Sequence, residues 1–363
     1  MAFKHHQTER TSTLSIWVEI HDGEHVGYGE ACPRSYVTGE DLTSVQEFIT
    51  HWQTVWMKEI NTLEDLRRWQ RTQQAVIDQN PSAWCAVELA LLDLLARRAQ
   101  HSIEALLDWP QVRGTFKYTA VLGDASEGAF QKQVMQYRHL GFKDYKLKLS
   151  GDLTQDQHRA VTLREAGARR WRVDANNLWN DPETALNHLK VLHENFTLFG
   201  IEEPLQPARR FEALRQLSKQ LHVPIIADES GLTPADLVQM NTGQINTNWI
   251  LNVRVSKMGG LLRSQRIIDE AGRCGIPLII GAQVGESSLL TRAALSLAAY
   301  CQNRWPDLLL AQEGAFGDYL LQQDILSEPL KFGARGHLIF APSSMSGWGF
   351  QPVVSAKLKS RLI

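Results

Sequence analysis

The chain has 363 residues, 43% of them hydrophobic, enough to bury a large core in one big domain or two. A net charge of -2, with lysine and arginine dispersed, gives no electrostatic case for nucleic acid or an anionic membrane surface. The four cysteines, Cys32, Cys85, Cys274 and Cys301, stand far apart without a CxxC or Cys/His cluster, so reduced thiols in a cytoplasmic protein are expected rather than zinc or a disulfide framework.

The leader MAFKHHQTER lacks the apolar core of a secretion signal, and its His5 and His6 read as a solvated pair. Residues 13–20, TLSIWVEI, alternate like a strand; HDG then makes a turn before EHVGYGEA. From Thr43 to about Leu107 the spacing is helical. The strongest amphipathic segment is NPSAWCAVELALLDLLARRAQ, where Trp84, Val87, Leu91 and Leu94 recur at three and four residues. Its most apolar run is broken by Glu88 and Asp93 and is too short to span a bilayer. Strands followed by helices predict an α+β unit over residues 1–112.

The rhythm then changes. KYTAVLG, DYKLKLS, RWRVDANN, FGIEEP, PIIADES, WILNVRV, PLIIGAQ and LLLAQEG read as eight strands, and each of the first seven precedes a helix-length segment. This predicts an α/β fold, a (β/α)8-type barrel over residues 113–325. Residues 326–363, rich in Gly, Pro and Ser, are expected to leave the barrel and pack back on the first unit.

In a barrel, function collects at the C-terminal ends of the strands. Those ends carry Lys146 and Lys148, then Asp174 and Asn176, then Glu202 and Glu203, then Asp228 and Glu229. Three consecutive strands ending in carboxylates would repel strongly. A hard divalent cation removes that conflict, and oxygen donors without Cys or His favour Mg2+. Beside the cluster, KLK sets two ammonium groups on one strand face. Burial and the cation's field can leave such a lysine partly deprotonated, as a general base near neutral pH. It could remove the proton next to a substrate carboxylate held by Mg2+, with the metal stabilising the enediolate. Alone, KLK is usually a solvated face, and IEEP or ADES can be acids at a helix start. Their order, one βα unit apart, carries the argument.

At these residues the chain resembles the enolase superfamily, in its muconate-lactonizing subgroup. GYGEACPRSYVTGED looks like the mobile specificity loop of the capping domain, and NPSAWCAVELALLDLLARRAQ like its long helix. KLKLSG is similar to the K-x-K strand, VDANN and IEEP to the first two metal strands, and ADES to the third. The resemblance implies Asp174, Glu202 and Asp228 as Mg2+ ligands, Lys148 as the acid/base and Lys146 beside the substrate carboxylate. It also implies Asn176 and Glu229 as partners that orient the ligands. A small-molecule carboxylate substrate and a homo-oligomer are expected.

The sixth strand departs from the subgroup's N-x-K-x-x-K-x-G-G, because this chain reads NVRVSKMGG. Asn252, Arg254 and Ser256 share one face, so Arg254 stands where the first lysine belongs and Lys257 matches the second. A shifted alignment makes Lys257 the base but breaks the alternation. Arginine stays protonated, a poor base and a good clamp for carboxylates. Racemases and epimerases of the subgroup need a base on each face of the carbon, whereas cycloisomerases and dehydrating synthases work with one. Arg254 therefore favours a one-base cycloisomerase or lyase, or else it salt-bridges Asp228 or Glu229 without a chemical role. Glu286 in GAQVGESS lines the pocket or opens the next helix. QEGAFGDYLL offers Glu313 and Asp318, without the aspartate pair that grips a dipeptide amine. Tyr36, Asn252, Lys257, Glu286 and Glu313 are the expected substrate contacts. Two further readings stay open: a racemase or epimerase of N-acyl amino acids or dipeptides, and a catalytically silent metal-binding scaffold.

Overall fold

The computed structural model describes residues 3–5, 8–10, 13–123, 126–206, 211–241 and 248–353; His6 and the last ten residues of the expected C-terminal segment lie outside these. Strands β1 (Phe3–His5) and β2 (Thr8–Arg10) pair with each other. β3 (Ile16–His21) and β4 (Val26–Ala31) form an antiparallel hairpin, its turn held by Asp22 Oδ1, which accepts from Glu24 N and His25 N at 2.9 and 2.6 Å. Six helices follow: α1 (Ser35–Thr38), α2 (Leu42–Glu59), α3 (Leu63–Thr72), α4 (Gln74–Gln79), α5 (Pro81–Arg98) and α6 (Ile103–Leu107). Asp41 with Ser44 and Thr62 with Asp65 make reciprocal caps that start α2 and α3, and Pro81 opens α5.

Helix α5 is more than amphipathic: every residue from Pro81 to Arg97 is buried. The GYG of β4 makes this possible. A Cβ at Gly27 or Gly29 would overlap the carbonyl oxygen of Ala90 or Ala86, so only glycine lets the strand lie on the helix backbone.

β5 (Gly114–Lys117) leads into eight strands: β6 (Ala120–Leu122), β7 (Asp144–Lys148), β8 (Arg170–Asp174), β9 (Ile201–Glu202), β10 (Ile225–Ala227), β11 (Trp249–Val253), β12 (Leu278–Ile280) and β13 (Leu309–Gln312). All neighbours pair in parallel and in sequence order, as expected of the eight predicted runs. The sheet curls so that Thr119 N, just before the first of the eight, donates to Gln312 O on the last at 2.8 Å. The connecting helices are α7 (Glu127–Leu140), α8 (Leu153–Glu165), α9 (Pro182–Phe196), α10 (Phe211–Leu221), α11 (Pro234–Met240), the short α12 (Val255–Met258) with α13 (Leu261–Arg273), and α14 (Ser288–Arg304).

β14 (His337–Phe340) then returns to pair antiparallel with β5. Trp348, fully buried, donates from its backbone to Asp93 Oδ1 and from its indole to Tyr28 O, both at 2.9 Å. Two buried glutamates from the first 112 residues cap barrel helices. Glu88 accepts from Leu262 N at 3.0 Å, and Glu30 from Ser287 N and Oγ at 3.0 and 2.5 Å. These bonds fix the first unit against the barrel mouth. Among the described residues no helix is long and apolar enough to cross a membrane.

Candidate active site

The alternation of β7 buries Tyr145 and Leu147 and turns Lys146 and Lys148 to the other face. The chain then kinks at the next two strand ends. Asn176 and Glu203 adopt positive φ, 45° and 38°, folding their side chains back over the strands they follow. Asn176 Nδ2 donates to Asp174 Oδ1 at 2.6 Å, and its Oδ1 accepts from Lys148 Nζ at 3.0 Å. Glu203 Oε1 accepts from Asp228 N, Ser230 N and Ser230 Oγ at 2.7, 2.8 and 2.6 Å, so the end of one strand holds the next.

The two lysines differ sharply. Lys146 Nζ lies 2.6 Å from Glu202 Oε1, 3.1 Å from Asp174 Oδ2 and 3.3 Å from Glu313 Oε2. Burial would lower its pKa, but these carboxylates outweigh burial and raise it, so Lys146 is a fixed ammonium and not a partly deprotonated amine. Lys148 is more open, 12% against 3% exposed, with Asp174 Oδ2 at 3.7 Å. Burial would push the Asp174 carboxyl up, yet Lys146 and Lys148 hold it below the ordinary range. Glu202 is raised by its burial, and its Oε2 has no hydrogen-bond partner. Glu229 is pushed up to about 8 by burial and by repulsion from Glu203 and Asp174.

Asp174, Glu202 and Asp228 end three neighbouring strands, are all buried, and offer only oxygen. That donor chemistry, with the unpartnered Glu202 Oε2, fits a hard divalent cation. Among the described residues no three acids are already drawn together as a cage, because cationic side chains stand between them. Lys146 bridges Asp174 and Glu202, and Arg254 Nη2 pairs with Asp228 Oδ2 and lies 3.7 Å from Glu202 Oε1.

Around these groups a cleft is lined by Tyr36 from α1, by Lys146, Lys148, Asp174, Asn176 and Glu229, and by Arg254, Gln283, Glu313 and Phe316. Arg254 follows the sixth of eight strands and Lys148 ends the second, so the two stand across the mouth from one another. The alternation expected through Ser256 stops at Val253, since α12 starts at Val255 and turns Ser256 towards Ser82.

Of the expected substrate contacts, Lys257, Glu286 and Glu313 are already engaged within the protein and Asn252 is buried. Lys257 is fully buried and does not line the cleft; its Nζ donates to Asp228 O, Asp228 Oδ1 and Asn252 O, each at 2.7 Å, which uses all three protons. Asn252 is also fully buried, packed where a Cβ on Gly281 would sit. Glu286 lies in the loop before α14, where its Oε1 accepts from Gln283 N at 2.5 Å; burial raises it to about 8. Glu313 does line the cleft but is spent on Lys146 and on Arg172 Nη2. Asp318 pairs with Lys331 at 2.7 Å, at the surface. Two residues went unnoticed in the sequence. Arg172 shares the face of Asp174 in RWRVD, a period-2 signal that was available. Gln283, whose Oε1 accepts from Arg254 Nη1 at 2.9 Å, had no such signal.

An amine beside a neutral amide, facing a guanidinium above buried carboxylates, can take a proton next to an anchored carboxylate. Residues 129–353 match the family described as Enolase C-terminal domain-like. The chain is 31% identical over 323 residues to the L-Lys-D/L-Arg epimerase of Methylococcus capsulatus, covering 86% of this chain and 88% of that protein. A solved dipeptide epimerase from Methylococcus capsulatus, complexed with Mg and the dipeptide L-Arg-D-Lys, aligns with a TM-score of 0.78 at 26% identity over 96% of this chain and 95% of that one. A mandelate racemase/muconate lactonizing protein from Herpetosiphon aurantiacus shares the fold, with a TM-score of 0.79 at 21% identity over 98% and 96% of the two chains. On residues matched and fold shared, the chain belongs to the enolase superfamily, in its mandelate racemase/muconate lactonizing branch.

Proposed function

We propose that this chain is a Mg2+-dependent isomerase that epimerises a small, peptide-like carboxylate by removing the proton next to its carboxyl group. The observation that carries the reading is Lys148 Nζ, 3.0 Å from Asn176 Oδ1 in a cleft between buried carboxylates and Arg254. The 31% identity to an L-Lys-D/L-Arg epimerase favours epimerisation over the ring closure or elimination that Arg254 first suggested.

Asp174, Glu202 and Asp228 would hold the cation. When bound, Mg2+ supplies positive charge against the substrate carboxylate as the proton leaves. Lys146, already an ammonium, adds a second positive charge at that carboxylate. Lys148 takes the proton onto Nζ, steered by Asn176; inversion then needs a proton delivered to the opposite face from solvent entering the cleft beside Arg254, while Lys148 passes its own proton back to solvent. Tyr36 and Phe316 supply aromatic walls to the cleft, with residues 1–112 acting as the cap and residues 113–325 as the catalytic barrel.

Arg254 supports a second reading. A guanidinium opposite Lys148 cannot accept a proton, so a one-base cycloisomerase or lyase also fits that wall. One experiment separates the two: dipeptides and N-acyl amino acids incubated with Mg2+ in D2O and followed by NMR. Deuterium at the α-carbon with inversion is the expected result. Ring closure or elimination without inversion replaces the first reading by the second. Lys148→Ala should lose about 10²–10⁴ of the rate; unchanged activity in that variant refutes both.

A further inference from the structure

We propose that Arg254 is the built-in counter-cation of the acid cluster and competes with the divalent cation for Asp228. The inference rests on the reading that Asp174, Glu202 and Asp228 hold that cation.

Asp228 has two oxygens. Its Oδ1 already carries Lys257, whose three protons are all committed inside the barrel. Its Oδ2 is the oxygen that Arg254 Nη2 takes. The same guanidinium lies 3.7 Å from Glu202 Oε1, so it stands between two of the three ligand side chains. It cannot withdraw its charge by losing a proton. A cation on Asp228 Oδ2 therefore has to move the guanidinium. The far side of that guanidinium has a second seat: Nη1 donates to Gln283 Oε1 at 2.9 Å, and the Gln283 backbone is itself tied to Glu286 at 2.5 Å. Arg254 pivots between Asp228 and Gln283, leaving the acids when the cation arrives and turning towards the cleft it already lines. Coupling of this kind is reciprocal, so an anion that engages Arg254 from the cleft tightens cation binding.

The test is titration calorimetry of the full chain with MgCl2, without substrate. Arg254→Met keeps the length and removes the charge, and should bind Mg2+ at least about tenfold more tightly, about 1.4 kcal/mol. Gln283→Leu removes the second seat and should weaken binding about threefold or more, because the guanidinium then stays on Asp228. Equal or weaker binding by Arg254→Met overturns the proposal. So does unchanged or tighter binding by Gln283→Leu, which would leave Arg254 acting by distant repulsion alone. Glu202→Gln locates the heat. If neither the native chain nor Arg254→Met gives heat that Glu202→Gln abolishes, the metal reading fails; if both bind equally through Glu202, only the competition fails.

Discussion

Glu88 is the sharpest place to perturb the contact between the cap and the barrel. Its carboxylate, fully buried on α5, accepts from Leu262 N at the start of α13 and from Gln70 Nε2, both at 3.0 Å. Burial raises its pKa to about 7, with the Leu262 bond only partly opposing the rise. A folded value above the ordinary 4.5 means that the native state holds this proton more tightly than the unfolded chain does. Its contribution is therefore complete below about pH 4.5 and is lost as pH rises through about 7. Between about pH 5 and pH 8 this one group withdraws about 2–3 kcal/mol, at 1.36 kcal/mol per pKa unit. Glu88→Gln keeps an acceptor for Leu262 N and cannot ionise. It should match the native chain at about pH 5 and exceed it at about pH 8 by roughly 3 °C, taking about 2.1 cal/mol/K per residue for the unfolding entropy. Glu88→Ala leaves the Leu262 amide and the Gln70 side chain without an acceptor, at about 1–3 kcal/mol each, and should be less stable at both. Scanning calorimetry at the two pH values reads the result. The reasoning fails if Glu88→Gln keeps the native pH dependence or falls as far as Glu88→Ala.

Two further substitutions test how the parts are joined. Gly29→Ala sets a methyl group into the Ala86 carbonyl, where neither backbone can yield; β4 must lift from α5, and soluble yield and the thermal midpoint should collapse, whereas Gly128→Ala, in α7 with open space around it and no left-handed backbone, should cost little by the same assay. Trp348→Ala empties a fully buried site and breaks the indole bond to Tyr28 O, which should cost about 3–5 kcal/mol in a urea unfolding curve.

Much of the fold was legible because barrel strands announce themselves twice, by a short apolar run and by the polar residue that ends it. IEEP and ADES each stop their strand where the pattern stops. The character of α5 was not legible. Glu88 and Asp93 interrupt its apolar run and suggest a solvated stripe, yet both face inward, as acceptors for Leu262 N and for Tyr28 N and Trp348 N. A buried acid that caps a helix 174 positions away looks, in sequence, like a surface acid.

At the site, the groups that could be read were those whose partners sit on adjacent strands. Asp174, Glu202 and Asp228 lie one βα unit apart, so their strand ends are neighbours, although Lys146 and Arg254 stand between the carboxylates. Glu313 could not be assigned in this way, because what consumes it is Arg172 and Lys146, on the third and second strands of the same sheet. The two lysines of KLK show the limit from the other side. Alternation makes them equivalent, but Lys146 is one layer deeper, where three carboxylates converge on it, and Lys148 is at the rim, where its nearest partner is a neutral amide. Depth, not face, separates the fixed cation from the proposed proton acceptor. The same distinction governs the opposite wall. Counting strands is enough to set Arg254 across from Lys148, whereas the Asp228 oxygen that holds its charge depends on Lys257 having taken the other one. On the proposed competition at Asp228, how freely Arg254 can meet a substrate is decided by a buried lysine that lines no part of the cleft.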